Sequence, residues 1–245
     1  MSGSQSNPEV HTLREIHFAE PRSLLSHLFC PAGYYLAEFF LANPHLILGK
    51  RLLELGAGVG LTGLVASASA SSVHMTDYTS DTIANMRHNI VLNEQWLKDK
   101  CPVTVGYLDW VSLAESSSSE SAESASGDAS SSSSSSSCFE ESVALLKDAD
   151  VLIGADCVYD VLSIPYFVTA VEKVLSLNEE RQKVAYFATT YRNEKTFELF
   201  ISAVQSKNIC YREILFGSDE TTEIFPCFAI RRNEIKLHEF HLLPL

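Results

Sequence analysis

Short apolar runs alternate along this chain with longer stretches that carry their apolar residues at helical spacing. Residues 51–55, 72–77, 103–108, 151–155 and 183–189 are brief and mostly apolar, the pattern of strands buried on both faces. Between them, residues 61–69, 80–92, 162–175 and 194–206 predict helices. An earlier helix is expected at 31–42, where Pro31 suits the opening position and Asn43-Pro44 suits the exit. Strand and helix in strict alternation argue for a mostly parallel sheet with helices on both faces. The last two apolar runs, 209–216 and 225–232, are separated by the polar stretch GSDETTE and read as an antiparallel hairpin at the sheet edge. The expected fold class is therefore α/β, a Rossmann-like, seven-stranded, mostly parallel sheet with a C-terminal antiparallel hairpin.

The segment 52–64, LLELGAGVGLTGL, carries the strongest chemical signal. Glycines at Gly56, Gly58 and Gly60, with Ala57 between the first two, allow a sharp strand-to-helix turn against which a ligand can lie on bare main chain. Gly58, Gly60 and Gly63 also spell the dinucleotide fingerprint GxGxxG, so the loop alone does not choose its ligand. Glu54, two residues before the first glycine, is poorly suited to a diphosphate and well suited to a ligand with an ammonium group and no phosphate, such as S-adenosylmethionine. Asp77 ends the next strand nineteen residues past Gly58, close to the ~20-residue spacing at which an acid grips ribose hydroxyls.

Charge and composition narrow the partners. A net charge of −13 with no basic cluster disfavours a polyanion such as nucleic acid and fits a basic or lysine-bearing protein substrate. No run approaches the ~18 apolar residues of a membrane span, and MSGSQSNPEV lacks the layout of a signal peptide, so a cytoplasmic monomer with no membrane contact is expected. None of the six cysteines forms a CxxC pair, and His238 and His241 have no ligand cluster around them; no disulfide framework and no metal site are expected. From 115 to 137 the composition collapses to Ser, Ala, Glu, Asp and Gly, which reads as a disordered insertion. The expected organisation is a short segment 1–30, a catalytic domain 31–235 containing that insertion, and a tail 236–245.

Two further features fall at strand ends, where open α/β sheets bind ligands. The strand 103–108 ends in Asp109-Trp110, whose indole could cover an adenine face, and the strand 151–155 ends in small Ala155 followed by Asp156-Cys157-Val158-Tyr159. Asp156 could orient an amine and Tyr159 could wall its channel. The set ELGAGVGLTGL, TD, LDW and GADCVYD resembles the seven-strand protein-lysine methyltransferases in which a DxxY motif follows the fourth strand. Within them, YLAEFFLANPHLILGKRLLELGAGVGLTGL, VTVGYLDW and VAYFATTYRNEKTFELF are most similar to those acting on elongation factor 2. The resemblance covers roughly residues 35–228, the serine-rich insertion aside.

That resemblance implies a class I methyltransferase fold with S-adenosylmethionine held by Gly56, Ala57, Gly58, Asp77, Trp110 and Ala155, to which the loop reading adds Glu54. It implies that Asp156 and Tyr159 serve a lysine on a protein substrate, elongation factor 2 or another protein such as a chaperone. Cys30 stands where that family usually places a cofactor-contacting tryptophan. The rivals are a methyltransferase acting on small molecules or nucleic acid, a dinucleotide-dependent oxidoreductase and a non-catalytic binding module.

Overall fold

The computed structural model describes residues 30–115, 145–177, 182–217 and 234–243 in full, and the backbone of 10–13 and 16–19. Strands β1 (Val10–Leu13) and β2 (Ile16–Ala19) pair antiparallel within the segment 1–30. Then follow α1 (Pro31–Ala42), β3 (Arg51–Leu55), α2 (Leu61–Ala66), β4 (Ser72–Asp77), α3 (Ser80–Leu92), α4 (Glu94–Leu97), β5 (Val103–Tyr107) and α5 (Trp110–Glu115). The second half holds β6 (Val151–Ala155), α6 (Ile164–Ser176), β7 (Val184–Thr190), α7 (Glu194–Gln205), β8 (Ile209–Ile214) and β9 (Ile235–Leu242).

The seven-stranded sheet has the order β5-β4-β3-β6-β7-β9-β8. Strands β5 through β7 run parallel, and β9 is antiparallel to both β7 and β8. Chain order reverses between β3 and β6, so the crevice outside their C-terminal ends is a topological switch point, where such sheets bind ligands. Alternate residues of each strand feed opposite faces. Leu53, Leu55, Leu152 and Phe187 pack with Phe167 and Val171 of α6 and Phe200 of α7. Leu52, Ile153, Tyr186 and Ala188 pack with Leu36 and Phe40 of α1 and Met86 of α3.

The second hairpin strand differs from expectation. It is Ile235–Leu242, paired along its length with both neighbours, while 225–232 lies outside the described residues. The strand therefore runs into the stretch read as a tail. Its sequence, IKLHEFHL, hides its nature because two polar residues are buried: His238 is 2% exposed and Glu239 is 6% exposed. Glu239 is opposite Arg212 in the register and accepts its Nε and Nη2 at 3.0 and 2.8 Å, with His241 at 2.6 Å. The pairing of a charge across the ladder offsets the desolvation penalty that burial imposes on it. Burial pushes His238 down to about 4, so it sits neutral between Tyr211, Phe197 and Phe240.

Beyond Glu115 the serine-rich stretch lies outside the described residues, and its two flanks are held by lysines. Lys173 Nζ donates to the Leu113 and Ala114 carbonyls, each at 2.9 Å, and Lys183 Nζ donates to those of Leu146 and Lys147 at 2.8 and 3.2 Å. Both lysines thereby satisfy carbonyls near helix ends that lack intrahelical partners.

Gly63 marks where α2 crosses β3 and β4. A Cβ there would lie 2.6 Å from Glu54 Oε2 and 2.7 Å from Met75 Cγ. Gly63→Ala is expected to destabilise the chain by ~1–3 kcal/mol through overpacking, read as a lower urea midpoint; an unchanged midpoint would show that Met75 gives way freely.

Candidate active site

The glycine loop follows β3 with three left-handed residues, Gly56 at φ 63°, Gly58 at φ 57° and Gly60 at φ 80°. Only glycine adopts such a succession without steric cost. The turn is pinned from β4: Ala57 N donates to the Thr76 carbonyl at 2.9 Å, and Thr76 Oγ1 donates to that of Glu54 at 2.6 Å. Asp77 closes it, since its Oδ2 accepts the Gly58 N–H at 3.1 Å while Oδ1 accepts that of Tyr78 at 2.8 Å. The strand-end acid and the glycine loop, nineteen residues apart, are thus one structure.

Trp110 reaches the same loop from the other side. Asp109 accepts the amides of Val111 and Ser112, each at 3.1 Å, capping α5 and fixing the direction of the helix that carries Trp110. The indole lies against Gly56, where a Cβ would meet it at 2.9 Å, and against Phe167 with ring centroids 4.9 Å apart. The crowding at Gly56 is therefore as restrictive as its backbone angle.

Glu54 is placed differently from the sequence reading. Its side chain is 1% exposed and Oε2 accepts the Gly63 N–H at 3.0 Å, so it supports the first turn of α2 from below rather than presenting a carboxylate to a ligand. The reason is the strand period: Glu54 and Leu55 point to opposite faces, and the face given to Glu54 is covered by α2. Burial pushes its carboxyl up to about 8, against hydrogen bonds that favour the charged form.

At the end of β6, Ala155 lies near Gly33 of α1, 3.8 Å from where a Cβ there would be. Asp156 is the one non-glycine with positive φ, 58°, among the described residues. Its N–H donates to the Ala188 carbonyl of β7 at 2.8 Å. Cys157 Sγ donates to the Leu55 carbonyl at 3.2 Å and packs beside Gly56, joining this loop to the glycine loop. Tyr159 is 58% exposed, and it borders an open cleft of about 310 Å³ lined by Val158, Thr190, Arg192, Asn193 and Phe197 among others. Thr190 is 3% exposed and its Oγ1 has no hydrogen-bond partner among the described residues.

The structure thus gathers Gly56, Ala57, Gly58, Asp77 and Trp110 around one loop and Ala155, Asp156 and Tyr159 at the adjoining strand end. Sequence reasoning passed over Arg192 and Thr190. The signal was available, because TTYR ends a strand of the same parallel sheet and so falls on the same edge. Cys30 enters too, at the start of α1 beside Asp156; burial and that carboxylate push its thiol well up, so it stays protonated.

Residues 28–123 match the lysine methyltransferase family. The matched segment holds the glycine loop, Asp77 and Trp110. Over 208 residues the chain is 27% identical to the protein-lysine N-methyltransferase EEF2KMT of Mus musculus, covering 80% of this chain and 52% of that one. Over 197 residues it is 26% identical to the protein-lysine N-methyltransferase EFM3 of Chaetomium thermophilum, covering 80% and 48%. The chain spans about half the length of the curated relatives it matches. Among solved structures, the ribosomal protein L11 methylase of Lactobacillus delbrueckii subsp. bulgaricus superposes with a TM-score of 0.53 at 11% identity, covering 96% of this chain and all of that one. SMU.776 complexed with SAH gives 0.56 at 11% identity, covering 97% and 57%. The fold is that of class I methyltransferases. Among the described residues, no helix is long and apolar enough to cross a membrane.

Proposed function

We propose that this chain is an S-adenosylmethionine-dependent protein-lysine N-methyltransferase whose acceptor is elongation factor 2. The observation that carries the cofactor half is the Gly58–Asp77 contact at the mouth of the glycine loop. A Cβ at Gly58 would meet nothing within 4 Å, so the main chain there is open to a ligand. Asp77 at that mouth repels a diphosphate, and its carboxylate, whose oxygens accept the Gly58 and Tyr78 N–H groups, is an acceptor suited to ribose hydroxyls. Those features fit a phosphate-free nucleoside better than NAD. The lysine half is supported by the family match over residues 28–123 and by the relatives named for lysine methylation.

S-adenosylmethionine, when bound, supplies a methyl group on a sulfonium. An amine nitrogen held beside it would take that methyl as the carbon–sulfur bond broke, its surplus proton passing to water. A free lysine has a pKa near ~10.4 and is almost wholly protonated at neutral pH, so the acceptor must arrive as the neutral amine. Tyr159 and the cleft beside it offer a partly desolvated approach, which disfavours the ammonium form. Asp156, at the strand end bearing Ala155, aligns the amine, leaving proximity and orientation to supply most of the acceleration.

Titration calorimetry with S-adenosylmethionine and with NAD, followed by labelled-methyl transfer into purified elongation factor 2, tests both halves. Binding of NAD in place of S-adenosylmethionine would overturn the cofactor. Transfer to other proteins but never to the elongation factor would overturn the substrate alone. Asp77→Ala is expected to weaken S-adenosylmethionine binding by roughly 1.5–3 kcal/mol, the worth of hydrogen bonds to a charged group. An unchanged dissociation constant would return Asp77 to a purely loop-holding role.

A further inference from the structure

Asp156 is already paired. Arg192 Nη1 donates to its Oδ1 at 2.8 Å and Nη2 to its Oδ2 at 2.5 Å, and the Thr190 N–H donates to Oδ1 at 3.2 Å. The Cys30 thiol at the start of α1 hydrogen-bonds to the same carboxylate. A carboxylate has about four lone-pair sites, so an incoming amine N–H reaches Asp156 by displacing that thiol, the weakest donor of the four. The guanidinium comes from the loop after β7 and the carboxylate from the loop after β6, and both loops are firmly held. Tyr191 N donates to the Glu234 carbonyl at 2.5 Å, and Asn193 Oδ1 caps α7 by accepting the amides of Lys195 and Thr196. The Asp156 side chain is 14% exposed and that of Arg192 is 50% exposed, so the carboxylate is mostly enclosed beside the cleft while the guanidinium lines it.

This pairing resolves a conflict in the chemistry. An unpaired carboxylate close to a lysine stabilises the ammonium ion, which has no lone pair with which to accept a methyl. The other groups bearing on the pair and on Tyr159 are acids, phenols or thiols: Cys30 from the start of α1, Cys157 and Asp160 within the Asp156 loop, Glu234 beside Arg192, and Asp77 and Tyr78 from the end of β4. Against them the Arg192 guanidinium supplies positive charge in the bidentate geometry that matches a carboxylate. We propose that Arg192 is a positioning residue for the methyl acceptor: by cancelling the charge of Asp156 it lets that carboxylate hold a neutral lysine amine instead of trapping an ammonium ion. The proposal rests on the lysine methyltransferase reading above and deepens it.

The test is single-turnover methyl transfer to purified elongation factor 2 across a pH series, in the full chain and in Arg192→Gln. The amine must lose a proton before transfer, so a bare Asp156 carboxylate moves the rising limb of the profile to higher pH. The expected shift is about one pH unit, with the rate near neutral pH down about tenfold and restored to within about twofold at the alkaline end. Arg192→Lys, which keeps the charge but not the fork, should recover part of the shift. In an Asp156→Asn background, Arg192→Gln should move the limb no further. S-adenosylhomocysteine affinity measured by calorimetry should be unchanged, which establishes that the variant is folded.

A loss of rate equal at every pH, or a shift that persists in the Asp156→Asn background, would overturn the proposal and leave Arg192 a structural tie. Where Arg192→Gln loses S-adenosylhomocysteine binding, Arg192→Lys decides: a limb within about a third of a unit of the parent supports the charge argument, and a full-unit displacement defeats it. A parent protein that binds S-adenosylmethionine yet methylates no protein overturns the functional reading itself, and the proposal falls with it.

Discussion

Gly58→Arg is expected to abolish S-adenosylmethionine binding in a chain that remains folded. The backbone at Gly58 is left-handed, φ 57°, so any side chain there costs ~1–2 kcal/mol, well within the ~5–15 kcal/mol by which domains are stable. A Cβ at this position meets no protein atom within 4 Å, and the arginine therefore extends into the open mouth of the loop. It arrives beside Asp77, whose Oδ2 already accepts the Gly58 N–H. A guanidinium there pairs with the carboxylate and takes the acceptor positions assigned to ribose hydroxyls. The neighbouring glycines make poorer tests. A Cβ at Gly56 meets Trp110 at 2.9 Å and one at Gly60 meets Met75 Sδ at 2.9 Å, so substitutions there disturb packing as well as binding. Calorimetry paired with a thermal melt checks the result; near-normal affinity in a folded Gly58→Arg protein would remove the loop from the cofactor site.

Most of the sheet was legible because parallel strands are buried on both faces and their apolar runs are nearly continuous. The edge hairpin was not, because legibility there depends on pairing rather than on pattern. Glu239 reads as a surface acid until Arg212 is seen opposite it, and nothing local to HEFH announces that partner. The glycine loop and Asp77 were legible as a spacing, and the contact between them is what that spacing produces. Glu54 was misread for an instructive reason. An acid beside a glycine loop looks like a ligand contact, but the strand period sends its side chain beneath α2, where the Gly63 amide occupies it. Arg192 was passed over because it forms no motif with Asp156 along the chain; the two are thirty-six residues apart and meet only because β6 and β7 are neighbours.

The second large effect is expected from Asp156→Asn, with methyl transfer to elongation factor 2 reduced on the order of a hundredfold, the scale of a reacting group displaced by ~1 Å. Asparagine is the informative replacement because it tolerates the left-handed backbone that Asp156 adopts at φ 58°, so the loop keeps its course. One oxygen survives to accept the Thr190 and Arg192 Nη1 hydrogens. The other becomes an NH₂ facing Arg192 Nη2, donor against donor, and the fork opens. Both the aligned acceptor for the amine and the anchor for the guanidinium are then lost together. S-adenosylmethionine affinity should hold, since the Gly58–Asp77 contact and the Trp110 packing are made by other elements. Full activity in Asp156→Asn would take this carboxylate out of the reaction. Lost cofactor binding would assign Asp156 to the cofactor rather than to the lysine.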